Sequence, residues 1–363
     1  MTALRDEEFP TLGDLEESAS KRVLEHVWAY IQGGAGEERT LRANREAFLQ
    51  WNLRPRALVD VSVIDPSTTV LGAEVRAPFF ISPMAYHGQV HPEGEPGVAR
   101  AARDAGILGV YSTLASFSIE DIAGASGPGL RWFQLYLQPD FEVSRQLVER
   151  AEKAGYSALM LTVDTPVLGV RDRQARAGFA IDSTVPIGNG RDVVPPSRSP
   201  VEQGRFYRLR SEASASWEVF AQLQSITRLP LVAKGVLTAE DGRLAVRHGT
   251  KAIVVSNHGG RQLDGAPASL RALPEVVKAV GSEVEVYVDG GVRRGSDILT
   301  ALALGARAVG IGRPVLWALA VGGAFGVSRY LALLKTELAT AMALAGRRTI
   351  AEVDRSLLSR SDD

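Results

Sequence analysis

Residues 252–261 read Ala252-Ile253-Val254-Val255-Ser256-Asn257-His258-Gly259-Gly260-Arg261, four apolar residues running straight into polar ones and a glycine pair. An unbroken apolar run of this kind, rich in β-branched side chains and closed by turn residues, is the pattern of a strand buried on both faces. The same unit recurs on either side. Apolar runs stand at 79–83, 108–112, 131–136, 158–164, 230–235, 252–258, 285–291 and 308–313, giving eight predicted strands. Amphipathic segments at 141–154, 239–246, 270–280 and 296–304 separate them, with a short one at 119–123 after the second strand. Eight strand–helix units in ~235 residues match the size of a (β/α)8 TIM barrel, an α/β fold. A doubly wound open sheet is the competing reading. Against it, no Gly-x-Gly-x-x-Gly follows the first strand, and the glycine clusters come late, after strands six, seven and eight.

The barrel does not account for the whole chain. Leu15, Val23, Val27, Tyr30 and Ile31 recur at helical spacing, predicting a helix over 15–31 that stops at Gly33-Gly34. A second helix is predicted over 37–48, and turns with short strands over 53–76. The expected organisation is one domain over 1–363: a helical cap (1–76), a barrel (77–345) and a tail (346–363). The interval 172–214 breaks the rhythm with Pro186, Pro195, Pro196, Pro200 and many arginines. It is read as a structureless lid, because it follows strand four on the face where barrel sites lie.

Composition excludes several classes. In 363 residues, 41 basic side chains against 42 acidic ones leave a net charge of −1, so no nucleic-acid partner is expected. Zero cysteines exclude disulfides, thiol nucleophiles and cysteine-held metal. No apolar run approaches the ~18–20 residues of a membrane span, so no membrane partner is expected. The acidic start lacks the hydrophobic core of a signal peptide and the end, SRSDD, is not a peroxisomal address, so a cytoplasmic location is expected.

Polar residues collect at the predicted C-terminal ends of the strands: Gln134 and Tyr136, Thr162 and Asp164, Lys234, Ser256 to Arg261, Asp289, then Gly312-Arg313. In a barrel these ends share one mouth. The glycines of 289–295 and 312–314 let backbone N–H groups approach a phosphate, with the helix after Gly295 offering its positive end and Arg293 or Arg313 forking onto the oxygens. Of the five histidines, His26 and His248 fit surface or packing roles. His87 and His91 follow strand one and serve either the mouth or the loop. His258 ends a strand beside Arg261, and a base next to an anion-binding arginine suits proton abstraction from an oxy-acid. Asp164, across the mouth, is placed to orient the ring. Lys234 is either a Schiff-base nucleophile or a positive charge against a cofactor ring, and the residues alone leave both open.

The segment 256–264, Ser-Asn-His-Gly-Gly-Arg-Gln-Leu-Asp, strongly resembles the active-site signature of the FMN-dependent 2-hydroxy acid oxidase/dehydrogenase family, which includes glycolate oxidase, lactate oxidase and mandelate dehydrogenase. The likeness runs from 30–35 (YIQGGA) through 91–95 (HPEGE), 133–136 (FQLY), 161–166 (LTVDTP) and 234–236 (KGV) to 289–295 (DGGVRRG) and 312–315 (GRPV).

The resemblance implies FMN as cofactor and assigns roles. His258 is the implied base and Asp164 its partner. Arg261 and Arg171 clamp the substrate carboxylate, and Tyr30 and Tyr136 supply hydroxyls around it. Lys234 sits at the flavin N1/O2 edge, which removes the aldolase reading. Ser112, Gln134, Thr162 and Ser256 contact the flavin, with the backbone of Pro83, Met84 and Ala85 against its ring. Asp289, Gly291, Arg293, Gly312 and Arg313 hold the ribityl chain and phosphate. Leu114 stands where glycolate oxidases place a tryptophan, and Tyr86 also departs from them, so the substrate side chain is left open. The implied activity is oxidation of an (S)-2-hydroxy acid to the 2-keto acid, with O2 as acceptor giving hydrogen peroxide. The alternatives are a dehydrogenase using a quinone or protein acceptor, and a flavoprotein acting on a peptide or protein partner. A homo-oligomer, tetramer or octamer, is also expected.

Overall fold

Each of the eight apolar runs is a strand, and together they close a parallel barrel: β1 (Phe79–Ile81), β2 (Leu108–Ser112), β3 (Arg131–Leu135), β4 (Leu159–Thr162), β5 (Leu231–Val236), β6 (Ala252–Val255), β7 (Glu285–Asp289) and β8 (Ala308–Ile311). This computed structural model describes residues 11–182, 185, 188–190, 193 and 215–361; most of the predicted lid beyond Asp182 lies outside the described residues. Each strand pairs with its neighbour in sequence, and β8 returns to β1 in the register Val309↔Phe79. Side chains alternate with the period of two that a strand dictates. Phe80, Val110, Trp132, Met160, Val232 and Val254 point into the barrel, where Tyr287 stacks edge-on to Phe80. Phe79, Ile81, Tyr111, Phe133 and Leu161 point outward, against the surrounding helices. The continuous hydrophobicity of the runs follows, since both faces are buried.

β2 ends where predicted and β5 one residue later, while the other six strands end earlier than predicted. β6 stops at Val255, three residues short of His258, because the N–H groups of Asn257 and His258 turn to side-chain acceptors at the mouth, the Ser269 and Ser256 hydroxyls. His258 itself adopts the left-handed conformation, φ 60°.

The helices follow their strands: α4 (Gly94–Ala105), α5 (Ile119–Ser126), α6 (Phe141–Lys153), α8 (Val219–Ile226), α9 (Ala239–Arg247), α10 (Ser269–Val280), α11 (Gly295–Ala303) and α12 (Arg313–Leu344). α4 escapes periodicity because its buried face is made of Val98, alanines and glycine rather than large apolar residues.

Four expectations need correction. The predicted helix over 15–31 is two, α1 (Leu15–Ser20) and α2 (Glu25–Gln32), because α1 packs on α12 while α2 turns toward the mouth. The predicted helix over 37–48 is α3 (Arg39–Glu46) followed by a 3-10 turn, Ala47–Gln50. The insert is not structureless where it begins, since Asp172–Arg176 forms the short helix α7. Finally, α12 spans 32 residues with a stretch of mean hydropathy 1.4, so one helix does have the length and composition of a membrane span. Of that stretch 61% is buried inside the protein, and Gly322 and Gly323 kink it. It is apolar because it packs against α1, α4 and α11.

Two short antiparallel ribbons complete the fold. Thr68–Val70 pairs with Ala73–Val75, and Val70 and Val75 plug the barrel at its N-terminal end. Trp51–Leu53 pairs with Leu358–Arg360, so the tail is stitched to the cap.

Candidate active site

The register of the ladder brings the polar strand ends together. Ser112 pairs with Gln134, and Thr162 with Lys234, at the C-terminal edge of the barrel. Above this edge lies a cavity of about 500 Å³, within the range of cofactor and ligand sites. Tyr30, Tyr86, Leu114, Tyr136, Arg171 and Arg261 line it, as do His258, Lys234, Ser112 and the 83–85 segment. Asp289, Gly291, Arg293, Gly312 and Arg313 line it as well. Asp164, Gln134, Thr162 and Ser256 stand one layer deeper. Gln134 accepts from the Ser112 hydroxyl at 2.9 Å and donates to Thr162 Oγ1 at 3.0 Å, locking three strands in one bonded row.

His258 is held from both sides. Its Nδ1 lies 2.9 Å from Asp164 Oδ1, and its Nε2 lies 3.3 Å from the Tyr136 hydroxyl. A carboxylate accepts only, so Nδ1 carries the proton and Nε2 keeps its lone pair on the Tyr136 side. Burial holds the imidazole below its ordinary pKa against the pull of Asp164, with Lys234 and Arg171 acting in the same direction as burial. Burial works to raise the Asp164 carboxyl, but its interaction with His258, through the Nδ1 hydrogen bond, and the Lys234 charge outweigh it and the group lies below its usual range. Lys234 behaves conversely. Burial alone lowers it, yet Asp289 at 3.3 Å and Asp164 keep it raised and charged. Its Nζ also donates to Ser256 Oγ at 3.1 Å, and the same hydroxyl accepts from His258 N at 3.0 Å.

Cations crowd the rest of the cavity. Arg261 donates to the carbonyls of Tyr30 (2.6 Å) and Gly33 (2.7 Å) and lies 4.8 Å above the Tyr30 ring. Arg171 donates to Arg261 O at 3.3 Å. Burial, then the Arg261 charge, pushes Arg171 down to about 9. Neither arginine forms an ion pair among the described residues, so the pocket is short of negative charge where they meet.

Two details of the predicted phosphate site are corrected. The N-terminus of α11 is already capped, since Asp297 accepts the N–H groups of Arg293 (2.8 Å) and Arg294 (3.1 Å), and Glu337 accepts that of Gly295 (3.0 Å). The start of α12 also faces the cavity, where Gly312 carries no capping side chain, Pro314 has no N–H and Val315 N donates to Gly312 O at 2.9 Å. Of the two fork candidates, Arg293 is ion-paired with Glu16 and lies 4.7 Å over the Trp317 ring. Arg313 donates to the carbonyls of Ile31 (2.8 Å), Gly33 and Gly259 (3.1 Å each), closing the C-terminal end of α2. His87 does not line the cavity. It is buried beside Glu95 in the loop after β1, and its backbone N–H donates to the Glu95 carboxylate at 3.1 Å.

Several residues of the site carry no signal in the sequence. Phe179, from the insert, stacks on Tyr30 with ring centroids 4.4 Å apart. Asn44 and Arg45 of α3 line the cavity too, though a polar pair on a cap helix reads as solvated. Ser82 lines it with a buried hydroxyl that has no partner among the described residues, as does Asp289 through Oδ1. Unsatisfied buried polar atoms facing a cavity fit the hydroxyls of a ribityl chain. With Gly290, Gly291 and Gly312, which let a ligand approach the backbone, Lys234 and the 83–85 segment on the same cavity, the residues present fit FMN.

The model of a family described as FMN-dependent dehydrogenase matches residues 19–360. The chain is 46% identical over 351 residues to 2-hydroxyacid oxidase 2 of Mus musculus, covering 96% of this chain and 98% of that one. It is 48% identical over 356 residues to L-lactate oxidase of Nostoc sp., with 96% and 97% covered. Glycolate oxidase of Spinacia oleracea is 44% identical over 359 residues, with 98% and 97% covered. A crystal structure of mandelate oxidase superposes with a TM-score of 0.88 at 42% identity, covering 97% of this chain and 98% of that one. With nearly the whole chain matched and the cavity fitted to the cofactor, the protein belongs to the FMN-dependent dehydrogenase family.

Proposed function

We propose that the protein oxidises an (S)-2-hydroxy acid to the 2-keto acid and passes the electrons to O2, giving hydrogen peroxide. The observation that carries this reading is the meeting, in one cavity, of a neutral histidine backed by Asp164 with two half-buried arginines short of an anion. Bound FMN supplies the two-electron acceptor. Arg171 and Arg261 hold the substrate carboxylate, which relieves their mutual repulsion and orients the 2-carbon in the cavity. Tyr30 and Tyr136 hold its oxygens. His258 takes a proton through Nε2, and Asp164 stabilises the imidazolium that forms. Lys234, kept charged by Asp289 and Asp164, lines the cavity and would offset negative charge on FMN bound there. Over one turnover the substrate loses two electrons and two protons, and O2 gains both.

For the side chain we propose an aryl or medium-length aliphatic group. Leu114 in place of an indole leaves room, and Tyr86, Leu168, Phe179 and Ile181 give that room apolar and aromatic walls. A glycolate hydrogen there forgoes roughly 0.8 kcal/mol per unburied methylene. Mandelate and 2-hydroxyoctanoate are expected to exceed glycolate in kcat/KM by at least about tenfold, which needs only ~1.4 kcal/mol. Comparing these substrates with lactate under one set of conditions tests the pocket argument, and a win for glycolate or lactate sinks it. The acceptor is tested by mixing substrate-reduced protein with air-saturated buffer. Fast reoxidation with one peroxide per flavin is expected, whereas slow reoxidation in air and fast reoxidation by a quinone overturns the oxidase reading.

The same reading includes a homotetramer or octamer. Exposed Val170, Leu263 and Phe325, at 53%, 74% and 57% exposure, support association. A monomer by light scattering overturns it.

A further inference from the structure

Helix α3 belongs to the cap, yet two consecutive residues on it reach the two loops on which the site depends. Asn44 and Asn257 are both buried and bonded to each other through both amide groups. Asn44 Nδ2 donates to Asn257 Oδ1 at 2.9 Å, and Asn257 Nδ2 donates to Asn44 Oδ1 at 2.8 Å. The orientation of Asn257 is set by the backbone, since its Oδ1 accepts from Gly260 N (3.0 Å) and its Nδ2 donates to Pro267 O (2.9 Å). Ser269 N also donates to Asn44 Oδ1 at 3.2 Å, and Asn257 N to the Ser269 hydroxyl at 3.1 Å. This network brackets His258, the residue after Asn257, which is held at φ 60° in a region costly for a side-chain-bearing residue. Such a conformation persists only where the surroundings over-determine it, and the amide pair is the buried anchor next to it.

Arg45 faces the other loop. Its guanidinium donates to the Gly291 carbonyl and pairs with Asp297 at 2.8 Å, the carboxylate that caps α11. Gly291 and Asn44 are packed so closely that a Cβ at 291 would lie 2.3 Å from the Asn44 carbonyl oxygen.

We infer that α3 is a clamp that sets the histidine loop against the phosphate loop, with Asn44 the positioning residue for His258 and Arg45 the positioning residue for the 289–293 glycine turn. This rests on His258 being the base. The two roles are separable, because one acts on where the imidazole stands and the other on how the turn presents its N–H groups.

The test compares N44A, N44D, N257A, N44A/N257A, R45A and H258Q, each reconstituted with FMN. N44A is expected to slow anaerobic flavin bleaching by about 10- to 100-fold, the cost of a misplaced catalytic group. N44D keeps the acceptor toward Asn257 and Ser269 but loses the donor, so it should fall between wild type and N44A. Because the pair acts as one unit, the double variant should be no slower than N257A within about twofold, the reverse of independent sites. R45A should weaken FMN binding, read by quenching of FMN fluorescence, by about tenfold, against under about threefold for N44A. Hydrogen exchange in the peptide over 256–263 supplies a readout independent of turnover. It should quicken in N44A and stay unchanged in R45A. Wild-type bleaching rates in N44A, multiplicative effects in the double variant, or unchanged exchange each overturn the clamp. Normal bleaching in H258Q overturns the base assignment instead, so the two failures are distinguishable.

Discussion

At the scale of single residues, the chemistry turns on the protonation state of His258. Its pKa lies below the ordinary 6.5, with burial the largest cause, so above that value the ring is neutral and Nε2 is free to accept. Lowering the pH through the shifted value protonates the ring and removes the base. The rate of anaerobic flavin bleaching is therefore expected to be flat from pH 7 upward and to fall on an acid limb with its midpoint below 6.5, measured by stopped flow across pH 5–8. Replacing His258 by Gln should leave FMN bound and slow bleaching by ~10²–10⁴, the usual cost of a lost general base. Asp164→Asn gives a sharper test. The Asp164 charge raises the imidazole pKa, so its removal should move the acid limb to lower pH while slowing the step, since the developing imidazolium loses its stabilising charge. A limb that moves to higher pH contradicts this arrangement.

Among the elements, α12 joins site and scaffold. It starts at Gly312 in the cavity and runs through the outer layer, but it cannot run straight. At Gly322–Gly323 the backbone leaves helical geometry, and Gly323 has φ 57°. The freed groups are met from outside the helix. Glu93 accepts the N–H of Ala324, and Arg22 donates to Val321 O at 2.8 Å. A Cβ at 323 would lie 2.3 Å from Glu93 Oε2 and 2.7 Å from His91 Cε1. Gly323→Ala combines an unfavourable φ with that clash, so it is expected to destabilise by about 1–3 kcal/mol. Urea unfolding of the holoprotein measures the change. A neutral or stabilising result would mean the kink is dispensable.

For the molecule as a whole, a net charge of −1 conceals a strongly cationic interior at the mouth. Arg171, Arg261, Arg313 and Lys234 face one cavity, and Arg171 and Arg313 are both pushed down to about 9, first by burial and then by the charge of Arg261. Such mutual repulsion destabilises the fold until an anion neutralises it. A non-reacting carboxylate such as the 2-keto acid product should therefore raise Tm, by the equivalent of about 2.7 kcal/mol when present at a hundredfold excess over its Kd. The corresponding amide should not. Equal stabilisation by acid and amide would show that the arginines do not read the carboxylate.

By itself the sequence determined the barrel, because eight doubly buried strands must each be an apolar run, and it determined which polar residues share the mouth, because every strand of a parallel barrel ends on the same side. His258, Asp164, Arg261 and Lys234 were legible for that reason. The resemblance of 256–264 and 289–295 to a known family added the cofactor, which no spacing argument supplies. What lay beyond reach depends on contacts between segments distant in the chain. Asn44 and Phe179 enter the site from a cap helix and an insert whose local patterns describe only a solvated helix and a polar loop. Arg313 reads as a free phosphate fork, yet the carbonyls at the end of α2 claim its donors. The helix end at 295 reads as open, yet Asp297 and Glu337 cap it. The pattern analysis assigns no element to 313–344, and only the structure reveals a kinked core helix there. Periodicity records which face of an element is buried; it carries no information on which distant partner satisfies a given hydrogen bond, and that choice was made only when the chain closed on itself.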